Sequence, residues 1–255
     1  MNLVETSKTE SSISPVIVPC LYFHHVDGNI DHYTDYPPEK FAELCRIIAD
    51  NYITITPQDV CNLLEDDRSV PENALIISFD DAWGSVLDNA IPLMQQFGLT
   101  GVIYVIAEFV GKPATWSGRF VDCARHMRRD ELKDLASEGF EIGSHSLSHR
   151  RLTELPIEDG KEEISASKFL LENQLDIEIE SFAYPFGEWN KCLSDCAAGI
   201  YKTAFATGHR DLGNWRNGRH ALPRCYIDKR DHPTRLKDII NLEWARLGSY
   251  NGELR

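Results

Sequence analysis

Short apolar runs rich in β-branched and aromatic residues alternate along this chain with longer stretches whose apolar positions recur every three to four residues. The short runs predict strands at 16–23, 52–55, 75–79, 101–106, 140–143, 179–184, 203–206 and 224–227. The longer stretches predict helices at 38–49, 57–64, 86–97, 130–137, 156–173, 191–198 and 233–247. Strand followed by helix, repeated almost throughout, reads as βα units around a parallel sheet. Thr56 before Pro57 supplies an N-cap and a proline at the first helical position, and Gly98 and Gly139 stand where helices should stop. Eight strand candidates in a chain of this length favour a closed α/β barrel over an open sheet. A polar tail of mixed charge, residues 1–14, precedes one domain over 15–255.

Four polar clusters fall where predicted strands run out: His24-His25, Asp80-Asp81, His145 through His149, and Tyr184-Pro185-Phe186-Gly187. In a parallel sheet these ends share one side, where ligands bind in α/β folds. Two histidines four residues apart reach one ion if the segment turns helically, and one carboxylate completes a facial set with positions open for water and substrate. Neighbouring strand residues point to opposite sides, so one of Asp80 and Asp81 serves as ligand and leaves the other free as a base. Each cluster alone has a plainer reading. An Asp-Asp at a strand end caps helices, a His-His pair is an ordinary loop feature, and the histidine spacing lacks the glutamate of HExxH. Trp83, Trp116, Trp189 and Trp215 lie in or beside the same loops, where aromatic faces stack on sugars or simply pack. The irregular stretch 111–129 is expected to overhang the strand ends.

A formal charge of −14 excludes phosphate-rich partners, so neither nucleic acid nor an anionic membrane surface is expected. No apolar run reaches about 18 residues, and the N-terminal segment lacks the apolar centre of a secretory signal. These two features predict a cytoplasmic protein. Seven cysteines, an odd number with no CxxC pair, predict buried free thiols in a reducing compartment. No GxGxxG follows a strand, and Gly111-Lys112 lacks the spacing of a phosphate loop, so no nucleotide cofactor is expected.

At these residues the chain resembles the polysaccharide deacetylases, the NodB-homology proteins of carbohydrate esterase family four. The motifs concerned are Ser78-Phe79-Asp80-Asp81-Ala82-Trp83, Ser144-His145-Ser146-Leu147-Ser148-His149 and Ala183-Tyr184-Pro185-Phe186-Gly187, and the likeness runs over about 16–230. The resemblance implies a deformed (β/α) barrel and a divalent ion, zinc first with cobalt, nickel, iron or manganese also compatible, held by Asp81, His145 and His149. It implies Asp80 as general base toward the attacking water and the backbone N–H near Phe186 as an oxyanion donor, with Tyr184, Trp83 and Trp189 around the substrate. The pattern is broken in three places. Ala183 stands where the family carries an arginine, Asn214-Trp215 near where it carries that arginine's aspartate partner, and no C-terminal Leu-x-His supplies a general acid. Phe23-His24-His25-Val26 instead resembles an element of the permuted poly-N-acetylglucosamine deacetylases, which makes His24 the candidate acid, with His209 and His220 as alternatives. The reaction implied is removal of an N-acyl group, foremost acetyl, from an amino sugar in a soluble oligosaccharide or glycoconjugate. An allantoinase-like opening of a cyclic ureide and sugar binding without turnover are the two rival readings.

Overall fold

The computed structural model describes residues 16, 18–30, 32–113, 125–207, 214–216 and 218–248, so the N-terminal tail, Trp116, Cys123, His209 and most of the 111–129 stretch lie outside the described residues. Its strands are β1 (Cys20–Phe23), β2 (Ile53–Thr54), β3 (Ala74–Phe79), β4 (Val102–Val105), β5 (Glu141–Ser144), β6 (Ser181–Ala183), β7 (Thr203–Ala206), β8 (Leu222–Pro223) and β9 (Cys225–Tyr226). The helices are α1 (Pro38–Asn51), α2 (Pro57–Glu65), α3 (Ile91–Gln96), α4 (Arg129–Ser137), α5 (Ile157–Leu175), α6 (Lys191–Ala198) and α7 (Leu236–Gly248). Every paired strand is parallel, in the order β8-β7-β6-β5-β4-β3-β1-β9, with β2 on β3. The result is a nearly closed (β/α) barrel.

Two elements depart from the pattern prediction for physical reasons. The expected helix at 86–97 opens with a π-helical turn, Val86–Ala90, before α3. Pro92 lacks an N–H and its ring crowds the carbonyl four residues back, which the wider turn relieves. The expected last strand, 224–227, is instead the two short strands β8 and β9 with Arg224 alone between them. The first half pairs with β7 and the second with β1, so closure of the barrel passes through that arginine.

Side chains alternate across the barrel wall with period two. Leu75, Ile77 and Phe79 of β3 and Ile103 and Val105 of β4 join the larger cluster under the helices. Ala74, Ile76, Val102 and Tyr104 join a second cluster with Cys20, Phe205 and Trp215. Burial on both faces explains why these strands read as continuous apolar runs. A Cβ on Gly143 of β5 would stand 2.5 Å from the Tyr104 ring, so that position takes glycine.

The cap signals hold: Thr56 and Asp59 form a capping box at α2, and Gly98 and Gly139 adopt φ of +66° and +91° where helices end. Among the described residues Cys20, Cys45 and Cys61 are buried free thiols and Cys225 is buried, while Cys192 is exposed and Cys196 half-buried on α6. No described helix is long and apolar enough to cross a membrane.

Candidate active site

Parallel register delivers the four polar clusters to one end of the barrel. Phe23 of β1 pairs with Phe79 of β3, and the Asp80 N–H donates to the Phe23 carbonyl at 2.9 Å, which sets His24 beside Asp80. Val105 of β4 pairs with Ser144 of β5, and the His145 N–H donates to the Val105 carbonyl at 2.8 Å. From there the chain turns sharply. Asp81 and Ala82 both take left-handed φ, at 69° and 52°, and so do Ser146 and His149, at 67° and 61°.

These turns replace two expectations about local shape. The two histidines do not share a helix face, because residues 145–150 form a bent loop. Ser146 Oγ accepts the His149 N–H at 3.0 Å, and the Ser148 N–H donates to the buried Glu163 carboxylate of α5 at 2.9 Å. Asp80 and Asp81 likewise diverge through the left-handed step at Asp81 and not by simple strand alternation.

One ligand atom from each of Asp81, His145 and His149 lies within 4.8 Å of the others. His145 Nε2 is 3.7 Å and His149 Nε2 3.3 Å from Asp81 Oδ1. The His145 Nδ1–H donates to the Ala183 carbonyl at 2.7 Å, which leaves Nε2 as the ring's lone-pair atom. Burial pushes the imidazoles of His145 and His149 down to about 4 and about 3, so both are neutral at pH 7. Asp81 is pinned at two atoms. Trp83 Nε1–H donates to its Oδ2 at 3.1 Å, and His126 Nδ1–H to its carbonyl at 2.7 Å. Trp83 is itself clamped between the rings of His25, at 4.4 Å, and His126, at 4.3 Å. No hydrogen bond from the described residues reaches Asp81 Oδ1, the oxygen that faces both imidazoles. Two neutral imidazole nitrogens and a carboxylate oxygen, converging with lone pairs and without a shared donor, are a donor set that fits a divalent ion.

Asp80 points elsewhere. Arg224 meets it fork to fork, with N–H donors 2.6 Å from Oδ1 and 2.9 Å from Oδ2, both side chains buried. Burial alone would raise the Asp80 carboxyl, but the Arg224 guanidinium, with help from His145 and His24, holds it well below the usual carboxylate range. Tyr22 and Tyr104 flank the guanidinium at 4.7 and 5.8 Å. Arg224, between β8 and β9, thus gives Asp80 an arginine partner from the closure of the barrel. Its trace in the sequence is a lone arginine inside the apolar segment Ala221-Leu222-Pro223-Arg224-Cys225-Tyr226, which pattern analysis absorbs into a strand.

A cleft of about 560 Å³ opens over these groups, lined among others by His24, Asp80, Asp81, His145, His149 and Phe186. His24 stands in it with Nε2 3.9 Å from Asp80 Oδ2 and Nδ1 without a hydrogen-bond partner among the described residues. Phe186, at a left-handed φ of 59°, lies between His149, 4.8 Å away, and the Arg151 guanidinium, 4.0 Å from its ring. Arg151 pairs with Glu188, and neither residue is marked by the sequence pattern.

Other expected contacts fall elsewhere. Tyr184 is turned under the helices, its hydroxyl donating to the His220 carbonyl at 3.0 Å, because it continues the helix-side face of β6 that Phe182 occupies. Trp189 is half-buried against the helix-side core and Trp215 is buried against Phe205. Trp83 reaches the cleft but is 1% exposed, so its visible role is to hold Asp81. His220 bonds through Nε2 to the Tyr201 carbonyl at 3.0 Å and is absent from the cleft lining.

Comparison with known proteins gives a consistent result. Residues 67–200 match the model of the family described as polysaccharide deacetylase. The Bacillus subtilis (strain 168) protein YxkH, assigned by name to the polysaccharide deacetylases, is 24% identical over 188 residues, 73% of this chain and 63% of that protein. The chain thus spans less than two thirds of that relative's length. By structure, the chain is similar to the Streptococcus pyogenes deacetylase PplD in complex with acetate, with TM-score 0.75, 20% identity, and 89% of this chain and 99% of that one covered. A de-N-acetylase from Aggregatibacter actinomycetemcomitans gives TM-score 0.71 at 15% identity, covering 87% and 99%. At such identities the two structural likenesses establish the fold.

Proposed function

The chain belongs to the polysaccharide deacetylase family, and from that premise we propose that it hydrolyses the N-acetyl group of an amino sugar within an oligosaccharide or glycoconjugate. The observation that carries this reading is the Arg224–Asp80 pair set beside both the His24 ring and the Asp81, His145, His149 donor set.

Asp81, His145 and His149 would hold a divalent ion, foremost zinc. Bound there, such an ion supplies Lewis acidity toward water and the amide carbonyl. Asp80 takes the proton of the attacking water through an oxygen whose direction is fixed by Arg224. Being held in the carboxylate form, it is ready to accept that proton across the neutral pH range. The N–H of Phe186, presented by the left-handed turn at Pro185-Phe186-Gly187, donates to the oxygen that gains charge as the carbonyl becomes tetrahedral. His24 delivers a proton to the departing nitrogen, since an amine leaves an amide poorly without one. The cleft's size lies within the range of about 300–1,000 Å³ usual for small-ligand sites, which suits a sugar unit with its acetamide.

The arginine partner of Asp80 favours turnover over the rival reading of a sugar-binding protein, which rests on a missing arginine and a missing aspartate. The test is acetate release from N-acetylglucosamine oligomers by protein supplied with zinc, cobalt or manganese, with allantoin as the rival substrate. The proposal expects acetate from the oligomers and no ring opening of allantoin. Ring opening without acetate release would contradict it.

A further inference from the structure

Away from the donor set, the cleft runs to a rim formed by His32, Tyr33 and Thr34, in the loop that follows His24-His25. This rim is tied down from within. The buried Asp35 carboxylate accepts the backbone N–H groups of Asp27 at 3.0 Å and Gly28 at 3.1 Å on one oxygen, and that of Ile30 at 3.1 Å on the other. It is tied down from outside as well. The Tyr226 hydroxyl donates to the Tyr33 carbonyl at 2.7 Å, and the Lys229 ammonium to the His32 carbonyl at 3.0 Å.

On this anchored rim Tyr33 stands 67% exposed, with the His32 ring packed 4.4 Å from its own. A large aromatic side chain left that open loses the free energy of burial. Its backbone nevertheless receives two of the anchoring bonds, at its own carbonyl and its neighbour's, so its position is fixed in advance of any ligand. Tyr33 and His32 also line a second hollow of about 360 Å³ with Asp228, Lys229 and Arg230, which makes Tyr33 the ridge between that hollow and the cleft. In the second hollow Arg230 is paired with Asp228 through two bonds of 2.7 Å, and the Lys229 ammonium is engaged by the His32 carbonyl. Arg230 and Asp228 compensate each other, and these groups with the Lys229 ammonium offer hydrogen bonds to hydroxyls.

We propose that Tyr33 is a stacking platform for the sugar unit next to the one being deacetylated, and that the hollow beyond it takes a further unit. The inference rests on the de-N-acetylation reading and adds chain length and direction to it. An aromatic face suits the apolar face of a pyranose ring, and the ridge geometry carries a linear chain from one hollow to the other.

The experiment compares acetate release from the N-acetylglucosamine monomer, dimer and tetramer by wild type, Tyr33→Ala and Tyr33→Phe. Wild-type kcat/KM should rise from monomer to tetramer. Tyr33→Ala should lose about tenfold on the tetramer, mainly through KM, and much less on the monomer, and Tyr33→Phe should keep the wild-type profile. Equal loss on monomer and tetramer, no loss on either, or Phe failing as badly as Ala overturns the platform. Saturation-transfer NMR with the tetramer separates this inference from the activity beneath it. Should wild type release no acetate, a ring-proton signal lost in Tyr33→Ala still supports the platform, and an equal signal in both proteins refutes it.

Discussion

Arg224 meets Asp80 through two N–H donors on a carboxylate that is otherwise out of water, so the pair must be judged by what its breaking leaves behind. A buried carboxylate stripped of its partner costs about 3–5 kcal/mol. Arg224→Met should lower stability on that scale, measured by urea unfolding. Arg224→Lys keeps the charge but loses the fork, so it should retain the fold and the metal while kcat falls. Because the guanidinium is what lowers the Asp80 carboxyl, its removal should also move the acidic limb of kcat/KM to higher pH. A limb that stays in place would mean Asp80 is not the group whose protonation stops turnover. His24 answers to a different assay. His24→Ala should lower kcat on an N-acetyl sugar by about 10²-fold or more with metal content unchanged. The loss on an aryl acetate should be much smaller, since that leaving group departs without a proton. Equal losses on the two substrates would remove His24 as the acid.

The site is assembled by loops that fold back on themselves where strands end. Among the described residues seven non-glycine positions have positive φ, and five of them, Asp81, Ala82, Ser146, His149 and Phe186, belong to this end of the barrel. Such conformations cost of order 1 kcal/mol each and persist where surrounding bonds enforce them, as Glu163 does for the histidine loop. Gly187 shows the tightness of the turn after β6. Its φ is +69°, and a Cβ there would stand 1.7 Å from Thr207 Oγ1. Gly187→Ala should therefore cost about 1–3 kcal/mol and displace Phe186, read as a lower Tm together with reduced kcat/KM. Unchanged values of both would mean that the turn has slack and does not position Phe186. Strands, helices and caps at this scale were legible because period and capping residues are local signals, as at Thr56 and Gly98. The path between His145 and His149 was not, since a bent loop and a helical turn place the same residue types at the same spacing, and the bonds that hold the bent form come from Ser146 and from Glu163 on the following helix.

Closure is a property of the whole barrel, and it governs what the sequence could not show. The C-terminal ends of parallel strands put His24, Asp80, His145 and Phe186 on one side, and that grouping follows from pattern alone. The arrival of Arg224 at Asp80 does not, because it depends on β9 pairing with β1 across nearly the full length of the chain. At the opposite end of the strands Glu141 opens β5, hydrogen-bonded by the Gln58 N–H at 2.8 Å and by the Ser181 hydroxyl. Burial raises its carboxyl from 4.5 to about 7. A group raised by folding stabilises the fold fully below its unfolded value, and the contribution is lost as pH climbs through the folded one. A rise from 4.5 to about 7 corresponds to about 3 kcal/mol. Relative to Glu141→Gln, wild type should therefore lose stability between pH 5 and about 8 by roughly that amount, followed by denaturant unfolding at each pH. A difference between the two proteins that does not change with pH would place Glu141 in an ordinary carboxylate environment.

The central claim is that Asp80, held by Arg224 beside the Asp81, His145 and His149 set, is the base of a de-N-acetylation. The rate of acetate release from an N-acetylglucosamine oligomer, compared between wild type and Asp80→Asn at equal metal content, tests it most directly. The account predicts steady acetate release by wild type and a loss of about 10²-fold or more in Asp80→Asn, because an amide cannot accept the proton of the attacking water. Release by Asp80→Asn at the wild-type rate, or no acetate from wild type under any metal, would contradict it.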